Sequence, residues 1–439
     1  MLGVLANRTY RHLFLAQVVS LVGTGLATVA LRLLAFNLAG DRAGAVLGTA
    51  LAIKMIAYVG VAPVAAAFAE RVPRRTMLVA LDLIRALVAL ALPFVTEVWQ
   101  VYLLIFLLQS ASAGFTPTFQ ATIPDVLADE RDYTNALSLS RLAYDLESLI
   151  SPMLAAALLL LMSFHTLFAG TVIGFLASAA LVLTVALPSP KPAVPRGIWE
   201  RTIRGIRLYL ATPRLRGLLA LNVAVAAAGA MVIVNTVVLV KSGFGLGDRE
   251  VALALAAFGA GSMVAALALP RLLERVPDRK AMLTGAGVLA IGMLIGPLAD
   301  SLASLMPLWF VLGLGYSLTQ TPTGRLLRRS AHPEDRPALF AAQFALSHAC
   351  WLGTYPLAGW LGAATGFDAT FLVMAALSVG AVVAASRLWP STDPEVIPHV
   401  HTDLGAGDPH LTAMPLDSQG RHAHAFVVDE RHSIWPRPA

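Results

Sequence analysis

Apolar runs alternate with short polar breaks along the chain. Twelve runs stand at about 13–38, 45–68, 76–95, 98–120, 137–161, 165–187, 217–241, 249–270, 281–298, 303–324, 338–362 and 369–388. A helix needs about 20 apolar residues to cross hydrocarbon, so the pattern predicts twelve membrane-spanning helices. The longest internal break, PSPKPAVPRGIWERTIRGIRLYLATPRLRG, holds Ile198, Ile203, Ile206 and Leu210 near one helical face and Arg201, Arg204 and Arg207 on another. That spacing predicts either a helix lying on the membrane surface or a plain linker helix. From Trp389 onward the chain is polar and rich in Pro and His, which predicts a disordered tail. The breaks divide the chain into a six-helix bundle over 1–188, a linker over 189–216, a second bundle over 217–388 and a tail over 389–439.

Composition agrees with this all-α membrane class. Of 439 residues 57% are hydrophobic and 13% charged, with mean hydropathy +0.72, whereas soluble domains carry about 25% charged residues. The basic start, MLGVLANRTYRHLFLAQVVSL, leads into an apolar run too long for a signal-peptide core, so an uncleaved first span is expected. Cys350 is the single cysteine and excludes internal disulfides.

Charge sets orientation. Basic residues crowd alternate connections, at Arg71, Arg74 and Arg75, then Lys191 to Arg216, then Arg271, Arg275, Arg279 and Lys280, then Arg325, Arg328 and Arg329. The other connections are short and nearly uncharged. The positive-inside rule places the basic loops and both termini in the cytoplasm, as in a bacterial inner membrane protein. The net charge of +6 is a topology signal, and no basic run is interleaved with aromatics as nucleic-acid binding would need.

The tetrapeptide ERVP occurs twice, at Glu70 and at Glu274, each time between the second and third spans of a half. Matching hinges in two six-span halves imply a duplicated unit. The first copy, AAFAERVPRRTML, resembles the loop signature of the major facilitator superfamily. Glu70 stands at the signature's Asp, Arg71 at its Arg, and Arg74 and Arg75 at its basic pair, while Ala66 and Pro73 replace two of its glycines. The resemblance covers the twelve spans and implies two pseudo-symmetric six-helix bundles and secondary transport by a monomer. Charges at helix ends can hold one mouth shut, so Glu70, Arg71, Arg74, Arg75, Glu274, Arg275 and Arg279 are expected at a gate, joined by Asp82 and Arg85. A solvated turn supplying inside charge is the alternative.

Ionisable groups inside hydrocarbon cost about 2.5–3.5 kcal/mol on insertion scales, which singles out Arg32, Lys54, Arg141, Asp145 and Glu147. By resemblance, Arg32, Gln109, Asn222, Asn235, Tyr316 and Gln320 line a central cavity, with Asp145, Glu147 and His348 beside it. Asp145 or Glu147 is expected to carry a coupling proton. A structural Arg141–Asp145 pair, and snorkelling of Lys54 and Arg32 to the outer headgroups, are the plainer readings.

Six of the ten histidines follow residue 390: His399, His401, His410, His422, His424 and His432. Imidazoles among carboxylates suit Ni²⁺, Co²⁺, Zn²⁺ or Cu²⁺. A twelve-span chain with such a tail resembles the nickel-resistance exporters of the superfamily, which implies a proton-coupled exporter of Ni²⁺ or Co²⁺. The alternative is an exporter of drug-like or siderophore-like small molecules. No ATP-binding loop, zinc-protease helix or hydrolase elbow occurs in the sequence, so the expectation is a transporter, not an enzyme.

Overall fold

The computed structural model describes residues 1–39, 43–69, 71–189, 198–400, 417, 421–429, 431–432 and 435–436. The first half holds α1 (Arg8–Ala39), α2 (Ala43–Ala69), α3 (Arg74–Ala91), α4 (Val98–Val126), α5 (Glu130–Leu159) and α6 (Phe164–Leu183). The linker is α7 (Ile198–Ala211). The second half opens with α8 (Pro213–Ala230), which runs on through π turns at Met231–Asn235 and Leu239–Gly243 with α9 (Thr236–Val238) between them. Then follow α10 (Asp248–Leu273), α11 (Asp278–Ile295), α12 (Leu302–Gln320), the short α13 (Thr323–Arg328), α14 (Arg336–Thr365) and α15 (Phe367–Leu388). Among the described residues, ten helical segments are long and apolar enough to cross a membrane. α5 and α14, 30 residues each, have the length but are more polar.

The two halves repeat one packing scheme. α1 packs on α6 as α8 does on α15, α2 on α4 as α10 on α12, and α3 on both α4 and α6 as α11 on both α12 and α15. Between the halves, α2 meets α14 and α5 meets α10, so the joint obeys the same two-fold relation. The described residues of the two ERVP hinges repeat one backbone pattern. Pro73 (φ −53°, ψ 134°) caps α3 and Pro277 (φ −59°, ψ 145°) caps α11. The Pro73 and Pro277 carbonyls accept from Met77 N at 3.0 Å and Ala281 N at 3.1 Å. Proline serves at this position because its fixed φ fits the helix start and its missing N–H would have no partner there.

Burial runs opposite to that of a soluble helix. On α3 the large apolar residues Leu83, Leu87 and Leu90 are exposed, while Asp82, Arg85, Ala86 and Ala89 are buried. The exposed stripe is the lipid face and the polar one the protein interior, as expected where the solvent is hydrocarbon.

Three expectations are corrected. Of the stripe expected on α7, Ile203 and Ile206 are half-buried and Leu210 is exposed, while the side chain of Ile198 lies outside the described residues; the fully buried residues are Gly205, Leu208 and Tyr209, packed on α14. A Cβ at Gly205 would lie 2.0 Å from the Ala338 carbonyl oxygen, so the glycine is what lets the two backbones touch, and the linker helix belongs to the protein core. α8 begins at Pro213, four residues before the expected boundary of 217. The tail is ordered where it is described: β1 (Val396–His399) pairs antiparallel with β2 (His422–Ala425), and Trp389, Phe426 and Val428 are buried against α8 and α14 residues.

α10 and α12 cross at glycines: a Cβ on Gly313 would lie 2.0 Å from the Phe258 carbonyl oxygen, and one on Gly261 1.9 Å from that of Phe310. Small residues let membrane helices approach this closely. Gly313→Val is expected to destabilise the detergent-solubilised protein by about 1–3 kcal/mol, read as a lowered Tm. Gly287→Ala, where nothing lies within 4 Å, is the control and should leave Tm unmoved.

Candidate functional site

A cavity of about 560 Å³ lies between the halves, lined by residues of α1 to α6 in the first half and of α12, α13 and α14 in the second. Of the residues singled out from sequence, Lys54, Arg85, Gln109, Arg141, Glu147, Tyr316, Gln320 and His348 line it. Asn222 and Asn235 do not: Asn222 Nδ2 donates to Gln343 Oε1 at 3.4 Å and Asn235 Nδ2 to the Ala358 carbonyl at 3.1 Å. Both tie α8 to α14. Arg32 lies on α1, but its side chain falls outside the described residues.

Both arginines at the cavity wall have a carboxylate beside them. Arg85 pairs with Asp82, which also accepts from Ser178 Oγ at 2.8 Å. Arg141 pairs with the buried Asp145, and Lys54 and Glu147 both line the cavity. Pairing offsets the desolvation that a lone charge would suffer at this depth. The cations also sit on aromatic faces, Arg85 over Phe115 at 3.9 Å, Arg141 over Tyr316 at 4.7 Å and Lys54 over Tyr58 at 5.5 Å. Arg141 reaches the other half, with Nε 3.0 Å from Ser262 Oγ of α10. His348 Nδ1 is 2.7 Å from the Phe344 carbonyl, and its ring meets Tyr58 of α2 edge-on at 4.8 Å. Since a carbonyl only accepts, the proton sits on Nδ1 and Nε2 carries the lone pair. Beyond their first and last turns, the spans of the second half hold no Asp, Glu, Lys or Arg, so the charge machinery belongs to the first half.

At the basic-loop face the halves are bolted together by two reciprocal ion triads. Asp125, at the end of α4, binds Arg74 of its own half and Arg336 at the start of α14. Arg325, after α12, binds Asp278 of its own half at 2.9 Å and Glu130 at the start of α5 at 2.5 Å. Arg74 and Asp278 each follow the hinge proline, and Glu130 and Arg336 each open the fifth helix of a half, so the triads occupy equivalent places with every sign reversed. Asp125 and Arg74 are only 4% and 2% exposed, which makes the Asp125 triad a buried seal, while the Arg325 triad reaches out to an exposed Glu130. Arg204 of the linker adds a two-pronged bridge to Asp335 at 2.7 Å.

Two other gate candidates, Arg75 and Arg279, each tie their own half together. Arg75 donates to the Leu183 carbonyl at the end of α6, and its counterpart Arg279 donates to Ser386 and Trp389 carbonyls at the end of α15 at 3.1 and 3.0 Å. Both satisfy helix C-terminal carbonyls. Asp82 and Arg85 form the cavity pair already described. Arg71 and Arg275 are exposed, Glu274 bridges Arg131 at 3.1 Å in solvent, and Glu70 lies outside the described residues. Sequence reasoning missed Asp125, Glu130, Asp278 and Arg336. The signal was there: each stands at a helix end on the basic-loop side, with opposite charge at the equivalent place in the other half.

On the same face the tail brings His399, His422, His424 and His432 together, with ligand nitrogens all within 4.8 Å of one another. His401 and His410 lie outside the described residues. Burial pushes His432 down to about 4, outweighing the opposing pull of Asp429. Burial alone would raise the Asp429 carboxyl, but hydrogen bonds with His332 and His432 hold it below the usual carboxylate range.

Comparison with known proteins places the chain among transporters. The family model described as Major Facilitator Superfamily matches residues 13–247 and 219–406. A Bacillus subtilis (strain 168) protein described as "Uncharacterized MFS-type transporter YfiS" is 25% identical over 352 residues, covering 74% of this chain and 82% of that protein. Among solved structures, the human organic anion transporter MFSD10 (TETRAN) is similar at TM-score 0.75 and 12% identity, covering 86% of this chain and 99% of that one. A bacterial homologue of the iron transporter ferroportin in an outward-facing state is similar at TM-score 0.73 and 14% identity, covering 87% and 99%. At these identities the two structures speak for the fold alone.

Arg336→Glu sets a second carboxylate against Asp125, and breaking a buried pair costs about 3–5 kcal/mol. With Cys350 replaced by Ala, a cavity cysteine introduced as Ser347→Cys is expected to react with an impermeant maleimide from the basic-loop side at least roughly tenfold faster in that variant. An unchanged rate would remove the seal from the account.

Proposed function

The chain belongs to the major facilitator superfamily, and from that premise we propose an exporter that moves an amphipathic organic solute with an acidic group, of drug-like or siderophore-like kind, by alternating access. The observation that carries this reading is the cavity wall. Lys54, Arg85 and Arg141 offer positive charge, Tyr58, Phe115, Phe344 and Tyr316 offer flat apolar faces, and Gln109 and Gln320 offer amide contacts. Apolar surface with a few placed polar groups is what holds a small organic molecule. By the positive-inside rule the sealed face is cytoplasmic.

Glu147 is the proposed proton carrier. It lines the cavity, as Lys54 does, whereas Asp145 is 5% exposed and pinned to Arg141. A proton on Glu147 removes its claim on Lys54, which is then released to an anionic solute; loss of the proton restores the pair. Proton and substrate thus compete through one lysine, which is the requirement for exchange.

The metal-ion reading, export of Ni²⁺ or Co²⁺, is favoured by the tail histidines. In the cavity the described residues supply one histidine and one carboxylate as lining ligands, and the described cluster of metal-ligating groups lies in the tail. The cavity chemistry therefore supports the organic solute first. Inside-out vesicles with an imposed pH gradient separate the two: a carboxylate-bearing fluorescent dye is expected to accumulate, and Ni²⁺ and Co²⁺ are not. Glu147→Gln should drop gradient-driven accumulation to the level of vesicles lacking the protein while dye counterflow persists. Accumulation of metal without dye would reverse the assignment.

A further inference from the structure

We propose that His399, His422, His424 and His432 form a four-histidine site for a divalent transition metal, and that the bound ion latches the tail onto the gate. The inference goes beyond the transport reading, because the metal here is a regulator and the cavity's cargo plays no part in it.

The strand register builds the site. His399 pairs with His422, and His424 lies two residues along the same strand, so all three rings fall on one face of the hairpin. His432 arrives from the turn beyond β2 and closes the fourth side, its ring 4.9 Å from both His399 and His424. Chain order alone would not unite residues 399 and 432; the antiparallel pairing does. His399, His422 and His432 are buried at 8%, 1% and 5% exposure, which is unusual for imidazoles on a polar tail.

The outer hydrogen bonds point the same way. His399 Nδ1 lies 2.9 Å from the Ile397 carbonyl, His424 Nδ1 2.9 Å from the Ala425 carbonyl, and His432 Nδ1 2.9 Å from Asp429 Oδ1. Each of these acceptors requires a proton on Nδ1, which leaves the Nε2 lone pair of three rings as the ligand. Metal-binding histidines are held by this carbonyl or carboxylate arrangement. A tetrahedral ion with Zn–N bonds of about 2.0–2.1 Å needs nitrogens about 3.3 Å apart, a contraction that small ring rotations supply from the observed spacing. Neutral imidazole donors select Zn²⁺, Co²⁺, Ni²⁺ or Cu²⁺ over Mg²⁺ and Ca²⁺.

The route to the gate is short. Asp429 holds His432 and the backbone N–H groups of Arg431 and His432, at 2.8 and 2.7 Å, and its other oxygen is 3.3 Å from His332 Nε2. His332 stands in the loop that carries Pro333, whose carbonyl accepts from Arg74, and Asp335 and Arg336, which bind Arg204 and Asp125. Phe426, Val428 and Trp435 pack with α8 and α14 residues below. An ion that fixes the hairpin therefore favours the sealed state, and linkage makes the sealed state favour the ion.

The test uses full-length protein in detergent, stripped with EDTA and titrated with Co²⁺ as the probe. Expected is saturation at one Co²⁺ per chain with the strong visible absorption of four-coordinate cobalt, displaced by Zn²⁺. His422→Ala and His424→Ala should abolish that spectrum, and Asp429→Asn should weaken binding about 10–100-fold. Trypsin release of the tail at Arg421 and Arg431 should slow several-fold with metal in the parent and not in His422→Ala. A parent with no saturable cobalt spectrum overturns the site, and tight binding with metal-independent tryptic release overturns the latch. Neither readout involves transport, so failure here is distinguishable from failure of the transporter reading.

Discussion

Two copies of one six-helix unit can close on each other only if the groups that meet across the joint attract. In a faithful duplicate, the end of the fourth helix in one half would face the start of the fifth in the other bearing whatever charge the repeat dictates, twice over. Here Arg74, Asp125 and Glu130 are answered by Asp278, Arg325 and Arg336, so both cross-joint contacts, Asp125 to Arg336 and Glu130 to Arg325, are attractive. The cavity above, the tail below and the docking of the linker all presuppose that closed face.

The remaining charge is distributed unequally. The first half keeps its cations against carboxylates inside hydrocarbon, where an unpaired charge would be costly. The second half presents Tyr316, Ser262, His348 and Phe344 to those cations. One half thus carries the charges while the other offers them a neutral counter-surface.

Much of this was legible in the sequence. Run length gave twelve helices, and the repeated ERVP gave the halves, because proline and helix-end charge leave strong marks on a chain. Lys54, Gln109, Arg141, Glu147, Tyr316, Gln320 and His348 were found by their polarity against an apolar background and do line the cavity. Asn222 and Asn235 carried the same mark but spend their amides between helices, a distinction that depends on rotation about the helix axis. The seal was harder to see because Asp125 and Arg336 are 211 residues apart and each resembles an ordinary loop charge. The tail misled for another reason: its composition is that of a disordered chain, yet Trp389, Phe426 and Trp435 give it enough apolar surface to dock.

The sign reversal between the triads also bears on the duplication. An ancestor assembled from two identical six-helix chains would have brought carboxylate to carboxylate, or guanidinium to guanidinium, at both crossings. The present bolt requires two copies that differ, so the two lobes are no longer interchangeable parts.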